Sequence, residues 1–177
     1  MPDTPAGSPP DGRPAFPDSG RVAAVDFGTV RIGIAISDPD RILASPVEVY
    51  QVRGCEKDAR YFRELVRQER ITGWVVGLPI HCDGEESQMS KEARQFARWL
   101  YEATELPIRM FDERFSTVAA KERLSTSRLS RQKKKQKLDA VAALVLLESF
   151  LESCRYHQVI AGHSIWDSPG GIDSLES

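Results

Sequence analysis

The sequence contains few of the features that would direct a protein into a membrane or out of the cell. It has three cysteines, no hydrophobic run near the ~20 residues that a transmembrane helix needs, and a formal net charge of only −2. The N-terminus has no basic segment followed by an apolar one, so a signal peptide is not expected. We therefore expect no membrane association and a cytoplasmic location.

The scarcity of cysteine and of net charge also restricts which metal sites and which kinds of nucleic-acid binding the chain can support. Cys55, Cys82 and Cys154 are far apart and lack the spacing of metal-ligand pairs, which predicts free thiols in a reducing compartment. None of the three histidines forms a helical metal-ligand pair with another. A charge near zero supplies no general attraction for polyanions, so any binding of nucleic acid must depend on a local basic patch.

What the sequence does contain is typical of a globular domain, with 177 residues of which 41% are hydrophobic and 28% charged. Residues 1–20 hold six prolines among Gly, Ser and Asp. Such a composition buries too little apolar surface to order itself, so we predict a disordered extension. The composition shifts again after Arg155, and residues 156–177 are predicted to be a flexible tail. This leaves one domain over residues 21–155.

The most informative stretch is the apolar run at residues 22–25, which predicts a buried strand. It ends in Asp26, and a lone buried carboxylate is unfavourable unless a metal or a hydrogen-bonding network compensates its charge. Gly28 permits a tight turn and the close approach of a ligand. Residues 32–36 alternate isoleucine with Gly or Ala, which is the period-2 pattern of a second strand. The chain therefore places an acid at the end of a strand, beside a glycine turn.

The hydrophobic patterns predict seven further elements. They are a strand over 47–52, a helix over 56–70, a strand over 71–77, a helix capped by Ser87 and ending near 103, a strand over 107–112, a helix from 116 or 117 to about 124, and a helix over 137–153 after a polar, basic loop at 125–136. The first three strands are joined by short turns, which predicts an antiparallel meander. The last two are reached through crossover helices, which predicts parallel pairing. We expect an α/β fold with a five-stranded mixed sheet flanked by helices.

Acidic residues occur where three of these elements meet one edge of the sheet. Asp26 ends the first strand, Asp112 and Glu113 end the fifth, and sites in α/β sheets form beyond the carboxyl ends of strands. Asp139 lies one turn into the last helix, and the alanines three and four residues after it would let that helix approach the sheet closely. Clustered carboxylates repel one another unless a cation neutralises them, and hard oxygen ligands suit Mg²⁺ or Mn²⁺. Ions bound in this way can activate water for attack on a phosphodiester.

Basic residues beside these acids fit a polyanionic substrate. Arg114 follows Glu113 directly and could bind a phosphate through two hydrogen bonds. A basic run without an acidic residue precedes Asp139 and comprises Arg128, Arg131, Lys133, Lys134, Lys135 and Lys137. Such a segment positions nucleic acid through its backbone charge without reading its sequence.

Each of these residues also has an ordinary structural interpretation. Asp26 could cap a turn, Asp112 could begin a helix, and Glu113 could be a surface acid. Asp139 could stabilise its helix through the dipole, and the basic run could be a solvated loop. His81, in the loop after the fourth strand, is interpreted as an incidental histidine rather than a catalytic base. Together, these interpretations leave the shared location of the acids as a coincidence.

Four motifs taken together resemble the YqgF (RuvX-type) family of ribonuclease H-like nucleases. They are Asp26-Phe-Gly-Thr-Val-Arg-Ile-Gly-Ile-Ala, Gly77-Leu-Pro with Asp83-Gly84, Asp112-Glu-Arg-Phe-Ser-Thr, and Lys137-Leu-Asp-Ala-Val-Ala-Ala, in that order within residues 21–153. The resemblance implies a ribonuclease H-like fold, a divalent metal and a bacterial cytoplasmic setting. It also implies a role in maturing the 5′ end of the 16S rRNA precursor, with Holliday junction resolution as an alternative.

Matched position by position, the resemblance implies a catalytic and metal-binding triad of Asp26, Glu113 and Asp139. It leaves open whether Asp112 shares the role of Glu113. The residues expected to bind substrate are Arg114, Lys133, Lys134, Lys135 and Lys137. The expected partner is pre-16S rRNA, alone or in ribosomal precursor particles, and the protein is expected to be a monomer or a weak homodimer.

Two other classes of function stay open. Residues 26–29 resemble the phosphate-binding hairpin of phosphotransferases of the actin and sugar-kinase type. Those folds, however, place the nucleotide between two domains of this kind, and this chain supplies one. The same fold could also be a noncatalytic module that docks on RNA.

Overall fold

The computed structural model describes residues 12–79, 86–112 and 131–167, with side chains in the last range from residue 140 onward. Within these ranges the elements are β1 Arg21–Asp26, β2 Arg31–Ser37, β3 Ala44–Gln51, α1 Cys55–Glu69, β4 Ile71–Leu78, α2 Gln88–Thr104, β5 Ile108–Asp112, α3 Arg131–His157 and β6 His163–Ser164. The helix predicted near residues 116–124 lies outside the described residues. Cys55 and Cys154 are free thiols, and Cys82 lies outside the described ranges.

The described strands form one mixed sheet in the order β3-β2-β1-β4-β5-β6. The pairs β1–β2 and β2–β3 are antiparallel, while β1–β4 and β4–β5 are parallel. This confirms the α/β fold, the meander and the two parallel crossovers that the sequence predicts.

The sheet has a sixth strand that the sequence analysis did not predict. β6 pairs antiparallel with β5, joining Met110 to His163 and Arg109 to Ser164. Gly162, with φ of 72°, turns the chain back against β5, and a Cβ there would collide with the Met110 carbonyl oxygen. A strand of two residues is too short for periodicity to reveal.

Alternation along the strands divides the core into two layers. Ala23, Val25, Trp74, Val76 and Met110 pack against α1 and α2 on one face. On the other face, Val22, Ala24, Ala35, Val75 and Phe111 pack against α3 through Ala143, Leu147 and Phe150. We call these the α1/α2 face and the α3 face. The sheet is therefore enclosed on both sides, and the parity of a strand position decides which layer its side chain belongs to.

Helix α3 is longer than predicted. The pattern predicts residues 137–153, but the helix spans Arg131–His157. Residues 131–136, predicted to belong to a basic loop, are therefore its first turns. Lys, Arg and Gln have good helix propensity, so the polarity of this stretch was misleading. Among the described residues, no helix combines the length and the apolar character required to cross a membrane.

Parts of both terminal segments contact the sheet and α3. The rings of Phe16 and Phe150 meet edge to face with centroids 6.0 Å apart. Arg41 donates from Nε to the Gly20 carbonyl at 2.8 Å and from its guanidinium to the Ser19 carbonyl at 3.0 Å. After α3, Ile165 is buried in the core on the α1/α2 face. The domain boundaries near residues 20 and 155 stay predictions.

Candidate functional site

The hairpin at the end of β1 carries the first candidate acid. Asp26 is the last residue of β1, pairs with Gly33 of β2 and is partly buried. Gly28 closes the hairpin, since a Cβ at this position would lie 2.5 Å from the Arg31 carbonyl oxygen. The predicted sequence of strand, glycine turn and strand is confirmed.

Two glycines flank Asp26 on the face of the sheet that α3 covers. Val22 and Ala24 pack under α3, so Asp26 continues that alternation onto the α3 face. Gly33 pairs with it on one side. On the other side, the pairs Val25–Val76 and Gly77–Phe111 put Gly77 level with Asp26. Neither glycine has a side chain, so neither of these two strand neighbours places side-chain atoms beside the carboxylate.

The last two residues of β5 belong to opposite faces of the sheet by strand alternation. Phe111 contacts Phe150 of α3 edge to face, with ring centroids 5.7 Å apart. Asp112, the next residue, therefore has the parity of the α1/α2 face, which it shares with Met110. Burial lowers the pKa of His163, and the nearby Asp112 carboxylate opposes that effect in part. By this alternation Asp26 and Asp112 belong to opposite faces of the sheet, while Asp112 also lines a cavity together with residues of α3.

The other predicted site residues fall wholly or partly outside the described structure. Glu113, Arg114 and His81 lie outside it altogether. Residue 139 and the lysines at 133, 134, 135 and 137 lie in α3, but their side chains are not described. Among the described side chains, no group of three His, Cys, Asp or Glu could hold a metal. The roles of the predicted triad therefore stay predictions.

The backbone of α3 nevertheless relates residue 139 to the same face of the sheet. Ala143 is fully buried in the cluster that includes Ala24 and Ala35. Residue 139 precedes Ala143 by four positions, or about one helical turn. Small residues at all three contact positions allow helix and sheet to lie close together.

The glycine neighbours of Asp26 are the feature of this site that the sequence analysis missed. In the sequence, Gly33 is one member of an alternating strand and Gly77 is part of a motif. The signal was present, because glycine inside a strand often marks a close approach to a ligand. The sequence alone does not show which residues of neighbouring strands lie side by side. The strand register shows this, and it places the two glycines on either side of the Asp26 carboxylate.

Comparison with known proteins places this arrangement in a family. The model of the family described as "RuvX: Holliday junction resolvase" matches residues 20–153. The chain belongs to the RuvX family. Its relatives include a protein of Rhodopirellula baltica, 63% identical over 153 residues that make up 86% of this chain and 88% of the relative. A second, from Corynebacterium jeikeium, is 41% identical over 140 residues, 78% of this chain and 90% of the relative. Both relatives carry the name "Putative pre-16S rRNA nuclease".

A solved structure shows the same fold. Thermus thermophilus RuvC, in complex with a Holliday junction substrate, superposes with a TM-score of 0.53 and 14% identity. The match covers 80% of this chain and 98% of the RuvC chain. The ribonuclease H-like fold that the motifs imply is thus confirmed for this member of the RuvX family.

Proposed function

We propose that this chain is a metal-dependent endonuclease that processes the 5′ end of pre-16S rRNA, in a bacterial cytoplasm and on free or particle-bound precursor. The single observation that carries this proposal is the position of Asp26. It ends a central strand on the α3 face between Gly33 and Gly77, which lack side chains. The family match and the names of the relatives support the nuclease class.

The proposed triad combines Asp26 with Glu113 and Asp139 on one face. Asp112 has the parity of the α1/α2 face, so an extended residue directly after it would have the parity of Phe111 and Asp26. That parity favours Glu113 over Asp112. β1 and β5 are separated by β4 alone, which corresponds to roughly 10 Å between their backbones. A carboxylate from α3 would approach the same face from above.

The donor set fits a hard divalent cation. Asp26, Glu113 and Asp139 would hold Mg²⁺ or Mn²⁺ through carboxylate oxygens, the ligands that these ions prefer. When bound, the ion would supply charge neutralisation and an activated water for attack on phosphorus. The missing side chains of Gly33 and Gly77 would leave room for the phosphodiester on the same face, and the carboxylates would orient the attacking water towards it.

The basic residues would hold the substrate beside this site. The first turn of α3 contains no acidic residue, and lysines near a helix N-terminus oppose the helix dipole. The lysines at 133, 134, 135 and 137 gain no stabilisation from the helix dipole, which supports a role for them in binding phosphates. Arg114 would bind a phosphate next to Glu113.

The test is cleavage of a precursor 16S transcript in Mg²⁺ or Mn²⁺. We expect Asp26→Asn to lower the cleavage rate at least about 100-fold, because it removes one ligand charge from the proposed cation. The matched control is Asp40→Asn, which removes an exposed carboxylate from the turn between β2 and β3. Equal cleavage by wild type and Asp26→Asn would refute the proposal.

A second candidate keeps the chemistry and changes the substrate. The family is described by Holliday junction resolution, so a four-way DNA junction is the natural competitor. Turnover of the junction and of the transcript, measured side by side, separates the two. A noncatalytic RNA-binding module would instead cleave neither substrate. It would also keep salt-sensitive RNA binding after joint replacement of Asp26, Glu113 and Asp139.

A further inference from the structure

A cavity of about 370 Å³ lies at the beginning of β5, away from the end that carries the candidate acids. Its walls come from residues 13–16, from the start of β5, and from residues 164–167, with Tyr101 of α2. The first and third of these segments lie outside residues 20–153, the part matched by the RuvX family model. The cavity is therefore built largely by this chain's own terminal segments. Its volume is in the range of about 300–1,000 Å³ that is usual for small-molecule sites.

Arg109 lines this cavity and carries an unsatisfied cationic donor. Its Nε is buried and, among the described side chains, is the only nitrogen or oxygen atom found buried without a hydrogen-bond partner. Burial lowers the pKa of Arg109, and the nearby Asp167 opposes that effect only in part. A buried charged donor that lacks an acceptor is destabilising unless a ligand supplies one.

A second guanidinium and an aromatic wall face the same space. The guanidinium carbon of Arg13 lies 4.5 Å from the centroid of the Trp166 ring. Trp166 is 39% exposed, and its ring meets Tyr101 edge to face at 5.4 Å. The combination of arginine with an exposed indole is the combination that proteins use to hold a nucleotide by its phosphate and its base.

The one acidic residue of the wall is engaged in its own turn. Asp167 accepts a hydrogen bond from the Ser164 backbone N–H at 2.7 Å through a carboxylate oxygen. Among the described residues, the lining contains two arginines and one aspartate, a formal charge of +1. An anion that binds here would meet a surplus of positive charge.

We propose that this cavity binds a nucleoside phosphate, with Arg109 and Arg13 on the phosphate oxygens and the base beside Trp166 and Tyr101. Two guanidinium groups fit a phosphate ligand better than a carboxylate ligand. Each guanidinium offers paired N–H donors, and a phosphate has enough oxygens to accept from both groups. The nucleotide is either free or one unit of an RNA strand, since both present the same chemistry.

The experiment titrates the full-length protein with adenosine 5′-monophosphate, adenosine and inorganic phosphate, with EDTA present to exclude divalent ions. Binding is read by calorimetry and by tryptophan fluorescence, with Trp166→Phe to assign the signal. We expect adenosine 5′-monophosphate to bind at least about tenfold more tightly than adenosine, because only the former offers a phosphate to the arginines. We expect Arg109→Gln and Arg13→Gln each to weaken that binding at least about tenfold.

A control variant and a comparison with an RNA oligonucleotide complete the experiment. Arg98→Gln removes an exposed arginine of α2 that is absent from the lining, and it should leave binding unchanged. If Arg109→Gln fails to fold, the exposed Arg13 carries the test alone. A 5′-phosphorylated RNA octamer that binds more tightly than the mononucleotide identifies a strand as the source, and the reverse order identifies a free nucleotide.

Two outcomes would overturn the proposal. One is the absence of binding of every probe at millimolar concentration by folded wild-type protein, and the other is equal affinity in the arginine variants and wild type. The proposal is independent of the nuclease proposal, since Asp26→Asn should abolish cleavage and still bind adenosine 5′-monophosphate. A negative result for nucleotide binding would not contradict the nuclease proposal, and a negative result for cleavage would not contradict nucleotide binding.

Discussion

At the scale of single residues, parity separates two aspartates that look alike in the sequence. Asp26 and Asp112 each end a parallel strand, and each follows a run of buried apolar residues. Asp26 has the parity of the α3 face, whereas Asp112 has the parity of the α1/α2 face and lies near His163. The two carboxylates are therefore not equivalent candidates for one cation.

Replacement of each aspartate tests this distinction. In the transcript assay we expect Asp112→Asn to lower cleavage less than about fivefold, while Asp26→Asn lowers it at least about 100-fold. Both variants change a carboxylate to an amide of the same size, so packing is preserved. Thermal melting near the wild-type temperature is required of both proteins. A loss of activity in Asp112→Asn as large as that in Asp26→Asn would contradict the assignment by face.

At the scale of elements, a buried acid joins α1 to the edge strand β3. Gly54 precedes α1 and provides no side-chain cap. Asp58 replaces that cap from inside the helix, accepting the Tyr50 hydroxyl at 2.7 Å, the Arg53 backbone N–H at 2.9 Å and the Gly54 backbone N–H at 3.2 Å. Two donors at the helix N-terminus and one from β3 therefore depend on one carboxylate that is only 6% exposed.

Removal of this carboxylate should destabilise the whole fold. We expect Asp58→Ala to lower the free energy of unfolding by about 2–4 kcal/mol, because it leaves the buried Tyr50 hydroxyl without its acceptor and removes the cap of two backbone N–H groups. Urea denaturation followed by circular dichroism measures this change. Glu56→Ala, which alters an exposed acid in the same first turn, is the matched control and should change stability by less than about 0.5 kcal/mol. Similar unfolding curves for the two variants would rule out the capping role.

Helix α3 shows how far local patterns predict an element. Its central face was correctly predicted as buried, because Ala143, Leu147 and Phe150 recur at helical spacing. Its beginning was predicted six residues too late, since no proline or glycine marks the boundary within residues 131–136. Helix ends that lack such signals depend on packing and capping, which periodicity does not reveal.

At the scale of the whole molecule, the terminal segments contribute to the packing of the sheet. Phe16 contacts Phe150 of α3 and also lies over Gly73 of β4, where a Cβ would be 2.8 Å from its ring. The guanidinium carbon of Arg41 lies 5.6 Å from the centroid of the same ring. One aromatic residue from a proline-rich segment thus contacts α3, β4 and the turn between β2 and β3.

Truncation of this side chain tests whether the segment belongs to the folded unit. We expect Phe16→Ala to lower the free energy of unfolding by roughly 1–3 kcal/mol through loss of buried apolar contact, and Phe16→Leu to lower it less. Differential scanning calorimetry of the three proteins measures the change. Stability unaffected by either substitution would instead agree with a disordered extension over residues 1–20.

The sequence by itself determined what depends on near neighbours along the chain. It determined the buried strand that ends at Asp26, the turn at Gly28, the Ser87 cap that the structure confirms, and the order of strands and helices. It also carried the motifs that identify the family, because these are read residue by residue. Such features follow from side-chain periodicity and backbone preference within a few residues.

Only the tertiary structure decided what depends on register between distant segments. It put Gly33 and Gly77 on either side of Asp26, separated Asp112 from that face, added β6, and closed a cavity from residues near both ends of the chain. The physical reason is that a shift of one residue in register exchanges the two faces of a strand. That register is set by packing across the whole sheet, which no local stretch of the sequence contains.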